Sequence, residues 1–273
     1  MKLIILFFAA IISAQNVTAQ SSPKLVNYSL KNKKDHLVEL TITGPSLYIE
    51  GYDGDDLTIE PYNIAPSKNI IADSLGLKNI TSLITPAFRL QQEQAPVIKE
   101  YTDRVLVNFG VSFHEAFLIK IPRNTHLKLS ATGSKDRKVV LKNLTGEVDV
   151  RGAMPLIEID NITGPLTVNS NAVTTSKIII SNIKFKNSPL NDGKALLYLS
   201  SFMSDFDISL PEDIKANVNI KVDNGDIYSD MDIVKTYGAS NNLNTISGKI
   251  NGGGAFISII STYGNVAIRK QKE

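Results

Sequence analysis

Apolar and polar residues alternate along most of this chain with a period of two, the signature of strands with one buried face. The pattern starts after a polar stretch, Gln20 to Lys34. Val38, Leu40 and Ile42 fall on one face, and Leu37, Glu39 and Thr41 on the other. Gly44-Pro45 breaks the run. Leu47, Ile49, Leu57 and Ile59 resume it across a turn at Gly51 to Asp56. Ala65 to Val97 alternates poorly and contains Pro66, Pro86 and Pro96; it reads as an excursion with a short helix near Ile70 to Leu77. Strands are predicted again at Arg104 to Phe109 and at Ala116 to Ile121, the second ended by Pro122.

From there the sequence repeats. VVLKNLTGEVDV (139–150) aligns with IEIDNITGPLTV (157–168), an offset of 18 read from Gly146 and Gly164. Ile178, Ile180 and Ser181-Asn182-Ile183 supply a third copy. Leu197, Leu199, Ser201-Phe202, Phe206 and Ile208 make a degraded fourth. Ile220 to Ile227 is a tighter version, and Ile257 to Ile268 is the last. A period of about 20 residues with two short strands and a polar turn predicts stacked units around a continuous core. Val, Ile and Leu should point inward, and Thr, Lys, Asp and Ser outward. Gly146, Gly164, Gly225 and Gly264 are expected at corners, and Gly252-Gly253-Gly254 at a hinge before the terminal unit. The expected fold is therefore all-β: a β-solenoid, or single-stranded β-helix-like repeat, at 126–273. A β-strand region at 20–125, irregular and continuous with the solenoid, precedes it.

The first residues are read separately. Lys2 precedes ten apolar residues, Leu3 to Ile12, and then small and polar residues with cleavage candidates after Ala14 and Ala19. This predicts a signal peptide, 1–19, and an exported protein in the periplasm, at the cell surface or outside the cell. Ten residues are too few to span a bilayer, which needs about 20. No transmembrane segment is expected after cleavage. There is no cysteine, which excludes disulfides, a lipidated export signal and cysteine metal sites. The formal net charge is +2, or +1 once Lys2 is lost, which argues against nucleic acid as partner.

The ordered set of stretches SLYIEGYDGDDLTIE (46–60), LGLKNI (75–80), AFLIKIPRNTHLKLSATG (116–133), LTGEVDV (144–150), IEIDNITGPLTVNS (157–170), FDISLPEDIKANVNIKVDNGDIYSD (206–230) and the closing INGGG…STYGNVAIRK resembles an adhesin-like family of unknown function. These are exported bacterial β-strand-repeat proteins related to the toast-rack domains. The resemblance implies an all-β, solenoid-like fold and an envelope location. It implies no activity and transfers no catalytic residue. The sequence departs from the pattern at Lys184, where glycine is expected, and at Asp205 near the same slot of the fourth copy.

Candidate chemistry is sparse. The glycine run lacks the lysine and helix of a phosphate loop. His36, His114 and His126 are not at metal-ligand spacing, and no nucleophile elbow occurs. Asp53, Asp55 and Asp56 cluster beside Gly54, but Asp-Gly equally signals a hairpin. The hairpin is the expectation, with calcium ligation by this turn as the alternative. Asp223, Asp226 and Asp230 form a second acidic turn with the same two readings. Glu147, Asp149, Glu158 and Asp160 could serve a carbohydrate-active enzyme if paired at roughly 5 to 9.5 Å. The repeat register instead sets Glu147 and Asp149 beside Pro165 and Thr167, on a different wall from Glu158 and Asp160. The sequons at Asn79, Asn143 and Asn161 carry no weight, two of them being the repeat turn. Tyr28, Tyr48, Tyr52 and Tyr62, and at the other end Tyr228, Tyr237 and Tyr263, could form a shallow binding patch.

The expectation is a non-catalytic envelope protein, without cofactor or metal, that offers a polar β-surface to a surface polymer or a protein partner. Self-stacking through open end units is one rival, opposed by the charged tail Arg269 to Glu273. A β-helix enzyme acting on carbohydrate is the other.

Overall fold

The structure is a computed structural model that describes residues 26–31, 37–62, 96–109, 116–184, 196–236 and 244–271. The expected signal peptide, the helix expected near 70–77, His36, His114, Asn79 and Tyr237 lie outside the described residues.

In chain order the strands are β1 (Val26–Ser29), β2 (Leu37–Thr43), β3 (Ser46–Tyr52), β4 (Asp56–Pro61), β5 (Val97–Glu100), β6 (Arg104–Asn108) and β7 (Ala116–Pro122). Then come β8 (His126–Thr132), β9 (Lys138–Leu144), β10 (Val148–Ala153), β11 (Leu156–Ile162), β12 (Leu166–Ser170), β13 (Ser176–Ser181) and β14 (Leu197–Leu210). The last are β15 (Ala216–Asn224), β16 (Ile227–Ser229), β17 (Val234–Lys235), β18 (Thr245–Ile250), β19 (Ala255–Tyr263) and β20 (Val266–Lys270). They form one all-β, mostly parallel, hydrogen-bonded network of 20 strands.

The pairings resolve into two rows. The first runs β5, β6, β2, β8, β10, β12, the start of β14, β19, β15, β18 and β17. The second runs β1, β4, β7, β3, β9, β11, β13, the end of β14, β20 and β16. From β8 to β13 each strand in the first row is followed along the chain by one in the second, as in β8 then β9 or β10 then β11. β14 does both jobs. Leu197, Leu199 and Ser201 are buried before Phe202, and Ser204, Phe206, Ile208 and Leu210 after Met203. The buried phase therefore slips by one residue where the strand passes between rows. Inward side chains of both rows share one core cluster, including Val38, Leu129, Val150, Ile159, Ile180, Phe206 and Ile259.

The repeat register agrees with the sequence at its centre. Ile157 pairs with Val139 and with Ile178, and Val150 pairs with Val168. The alternation on β2, Val38-Leu40-Ile42 inward, is as read. The hairpin expected at the Gly51 to Asp56 turn does not form, because β7 lies between β3 and β4 and pairs with both. Three further expectations are corrected. Leu197 and Leu199 align with Leu166 and Val168, while Phe206 and Ile208 align with Ile178 and Ile180. The fourth copy is thus half a unit out of phase, because both rows carry the same alternation and the pattern does not say which row a strand joins. Second, the last unit in sequence is not last in space: β19 and β20 lie between β14 and the earlier β15 and β16. The charged residues Arg269 and Lys270 therefore cap nothing. They lie inside the second row, paired with Asp207 at 2.9 Å and Glu212 at 2.7 Å. Third, the serines at the row change point inward: Ser170, Ser176, Ser201, Ser204 and Ser261 are buried.

Corners follow the residue types. Asn143, Asn161 and Asn182 take φ of 60°, 54° and 53°, a left-handed conformation that asparagine tolerates. Asn161 Nδ2 donates to Asn143 Oδ1 at 2.7 Å, linking successive turns. Gly164 is needed for approach: a Cβ there would sit 2.1 Å from the Gly146 carbonyl oxygen.

Candidate binding surface

Because the strands of the first row are in register, parallel from β6 to β15 and antiparallel at β18, their outward residues line up across it. One such line reads Glu39, Lys128, Asp149, Thr167, Tyr198, Ser258, Asn219 and Ser247. The next reads Arg151, Asn169, Ser200, Ile260 and Lys221. The two ends of the first line differ in chemistry. Toward β6 the charges satisfy one another: Glu39 meets Lys128 at 2.9 Å and Arg104 at 3.6 Å. Arg151 forks onto Asp149 at 2.8 to 3.1 Å, and that hydrogen bond with the neighbouring carboxylate raises the guanidinium pKa. From Thr167 to Ser247 the line is uncharged and carries hydroxyls and amides. Ser247 Oγ donates to Asn219 Oδ1 at 3.2 Å.

Exposed aromatic rings bracket this uncharged stretch. Phe256 lies near the start of β19 and is 38% exposed. Tyr263 ends the same strand, about 23 Å away at the rise of an extended strand. Its ring packs edge-on against Phe202, centroids 5.5 Å apart, with each residue 45% exposed. Phe202 is exposed because it is the outward residue at the phase slip of β14. The tyrosines named from the sequence are not gathered in one patch. Tyr48 and Tyr62 stack on the second row at 4.6 Å, with Lys138 5.5 Å from the Tyr48 ring centroid. Tyr52 closes its own turn, donating to the Asp56 carbonyl at 2.9 Å. Tyr28 donates to Glu100. Tyr228 donates to Asp226 at 3.2 Å, and this hydrogen bond and the carboxylate charge hold its phenol above the ordinary tyrosine pKa. Phe202 and Phe256 were not singled out from the sequence, where only tyrosines were considered as a patch.

Most of the acidic candidates hold other side chains or the backbone. Arg123 grips Asp53 through two contacts of 2.7 and 2.8 Å. Asp223 faces Lys221 at 3.1 Å, and Asp230 accepts the Lys270 amide at 2.7 Å. Glu158 meets Lys138 at 3.3 Å, and Asp160 accepts from Asn182 at 2.6 Å and Ser181 at 3.0 Å. Glu158 and Asp160 belong to the second row, and Asp149 to the first, beside Thr167. His126 accepts the Glu147 amide at Nδ1, 3.3 Å. Among the described residues no three His, Asp or Glu side chains are grouped to hold a metal ion.

The buried serines form a connected cluster where strands change rows. Ser176 Oγ and Ser204 Oγ are 2.6 Å apart, and Ser204 donates to Ser170 at 3.2 Å. Burial with full hydrogen bonding makes this a structural site.

No known family profile matches the chain. No characterised protein matches its sequence. A solved structure of a candidate cell adhesion protein from Clostridium sporogenes is similar in fold at a TM-score of 0.39 and 9% identity, over 92% of this chain and 100% of that one. At that score the likeness is coarse.

Proposed function

We propose that the two rows are the walls of a β-solenoid in an exported, non-catalytic envelope protein, and that the uncharged line of the first row, from Thr167 to Ser247, binds a surface polysaccharide. One observation carries the ligand class: the hydroxyls and amides of Thr167, Tyr198, Asn219 and Ser247 lie in register about the buried Ser258, bracketed by Phe256 at one side and Phe202 with Tyr263 at the other. A polysaccharide offers repeated hydroxyls to such a line and apolar sugar faces to exposed rings. Along this line the charges lie at the β6 side, paired with one another, and none falls between Thr167 and Ser247. Export is supported by the N-terminal pattern of Lys2 and Leu3 to Ile12.

The test is sedimentation of purified residues 20–273 with cell-wall polysaccharide from the source cells, beside protein-stripped and polysaccharide-stripped envelope fractions. Saturable binding to the polysaccharide is expected, with at least tenfold weakening in a chain carrying Phe202→Ala, Tyr263→Ala and Phe256→Ala. Tyr62→Ala, on the other row, should bind normally. Capture by the protein fraction alone, or binding indifferent to the triple change, would overturn the assignment.

A further inference from the structure

The position of β19 and β20 imposes an order on folding. Both boundaries of their slot, β14 on one side and β15 with β16 on the other, come earlier in the chain. β14 and β15 are joined by 211–215, which steps past one strand position and leaves it open until residues 255–270 arrive. The other displaced unit, β2 with β3, raises no such problem: it precedes both of its neighbours, β6 with β7 and β8 with β9. Single strands also enter a place with two earlier sides, β7 between β4 and β3 and β18 between β15 and β17, and among the described residues the C-terminal unit does so in both rows at once. That slot is apolar, and its occupant buries Ile257, Ile259, Val266 and Ile268 almost completely.

The connection that delivers this unit is a tight reversal. β18 runs antiparallel on the far side of β15, and the chain crosses the start of β15 to place β19 on the near side. Asn251, Gly252 and Gly253 all take positive φ, 47°, 83° and 91°. Asn251 Nδ2 donates to the Glu212 and Ile214 carbonyls, both at 2.9 Å. Gly254 passes so close to the Lys215 carbonyl oxygen that a Cβ would lie 2.4 Å from it. An extended connection would shed these left-handed conformations.

We infer that residues 255–271 are an exchangeable unit and that the slot between β14 and β15 accepts the same segment of a second copy of this chain. Exchange reproduces every contact of β19 and β20 and changes only the reversal at 251–254, the condition under which domain swapping is cheap. Reciprocal exchange closes a dimer, and one-way exchange leaves an open series. The exchanged segment carries Phe256 and Tyr263, and exchange rebuilds the same face, with Tyr263 meeting Phe202 of the receiving chain.

Lys221 and Ile260 are Cα partners on β15 and β19, within disulfide reach, in a chain with no cysteine. Full-length chains carrying Lys221→Cys and Ile260→Cys, differently tagged, are co-expressed and oxidised, and the mixed disulfide is measured. A pair carrying Thr41→Cys and Ile260→Cys gives the background from random collision. A chain with both Lys221→Cys and Ile260→Cys checks that the bond can form, and a short bismaleimide replaces oxidation if it does not. The mixed product should exceed background. Gly252→Ala on both chains should raise the ratio of exchanged to unexchanged chain roughly five- to thirty-fold, because a Cβ there meets nothing within 4 Å and acts through φ alone. Mixed product at the background level, with and without Gly252→Ala, would overturn the inference.

Discussion

A methyl group decides whether two turns can stack. At Gly164 the added Cβ would lie against the backbone of Gly146, which cannot rotate away. Gly164→Ala should therefore lower stability by about 1 to 3 kcal/mol in urea unfolding. An unchanged midpoint would mean that the turns are free to separate. Asn161 tests the other requirement of the corner. At φ 54° glycine should replace it with little loss, whereas Asn161→Val should cost about 1 to 2 kcal/mol or more. Tyr228 offers a titration at the same scale. Its phenol is raised by the hydrogen bond to Asp226, so the folded chain holds this proton to higher pH than the unfolded chain does. The stability it contributes is present in full below the ordinary tyrosine pKa and is lost as pH rises through the raised value. A phenolate absorbance titration should show a late step from Tyr228, and Asp226→Asn should remove it.

Strands add a constraint that single residues do not show. β14 serves two rows because its buried phase slips at Phe202 and Met203, and the slip is closed by the serine cluster. Removing one hydroxyl leaves its partners short. Ser204→Ala should cost about 1 to 3 kcal/mol, while Ala at Ser170, Ser176 and Ser204 together should cost less than three such losses. Paired denaturation curves would separate these. The same strand shows what a sequence reveals. Val139, Ile157 and Ile178 could be aligned from sequence because each precedes a recognisable Asn turn. Leu197 could not be placed in a row, since alternation states which face is buried and is silent about the neighbour. Inward serines were unreadable for a related reason: Ser201 and Ser204 sit on opposite sides of a phase slip that the pattern does not mark. The candidate surface was half legible. Outward Asp149 beside Thr167 followed from the register, but the line from Tyr198 to Ser258 and Asn219 needs β19 to lie between β14 and β15. That adjacency joins residues some 60 apart in the chain to others some 40 apart, with no local signal.

Across the whole molecule, insertion of the last unit changes what a chain end means. In a sequentially wound repeat protein each unit touches only its neighbours in sequence, so terminal units open first. Chain termini are ordinarily the least ordered part of a domain. Here the ends of the two rows are β5 with β1 and β4 at one side, and β16, β17 and β18 at the other. These include short strands with exposed residues such as Val97 at 49% and Val234 at 70%. β20 lies one position in from β16, and β19 lies behind β15, β18 and β17; β14 flanks both on the other side. Their opening requires either the loss of β15 to β18 or withdrawal through the reversal at 251–254. Amide exchange should therefore be slow at Ile257, Ile259 and Ile268, comparable with Ile157 and Ile159 in the middle of the second row, and fast at Val234 and Lys235. Exchange at Ile257 and Ile259 as rapid as at Val234 would mean that the C-terminal unit leaves its slot freely. Slow exchange there, together with fast exchange at β17, would show that protection follows position in the rows and not distance from the chain end.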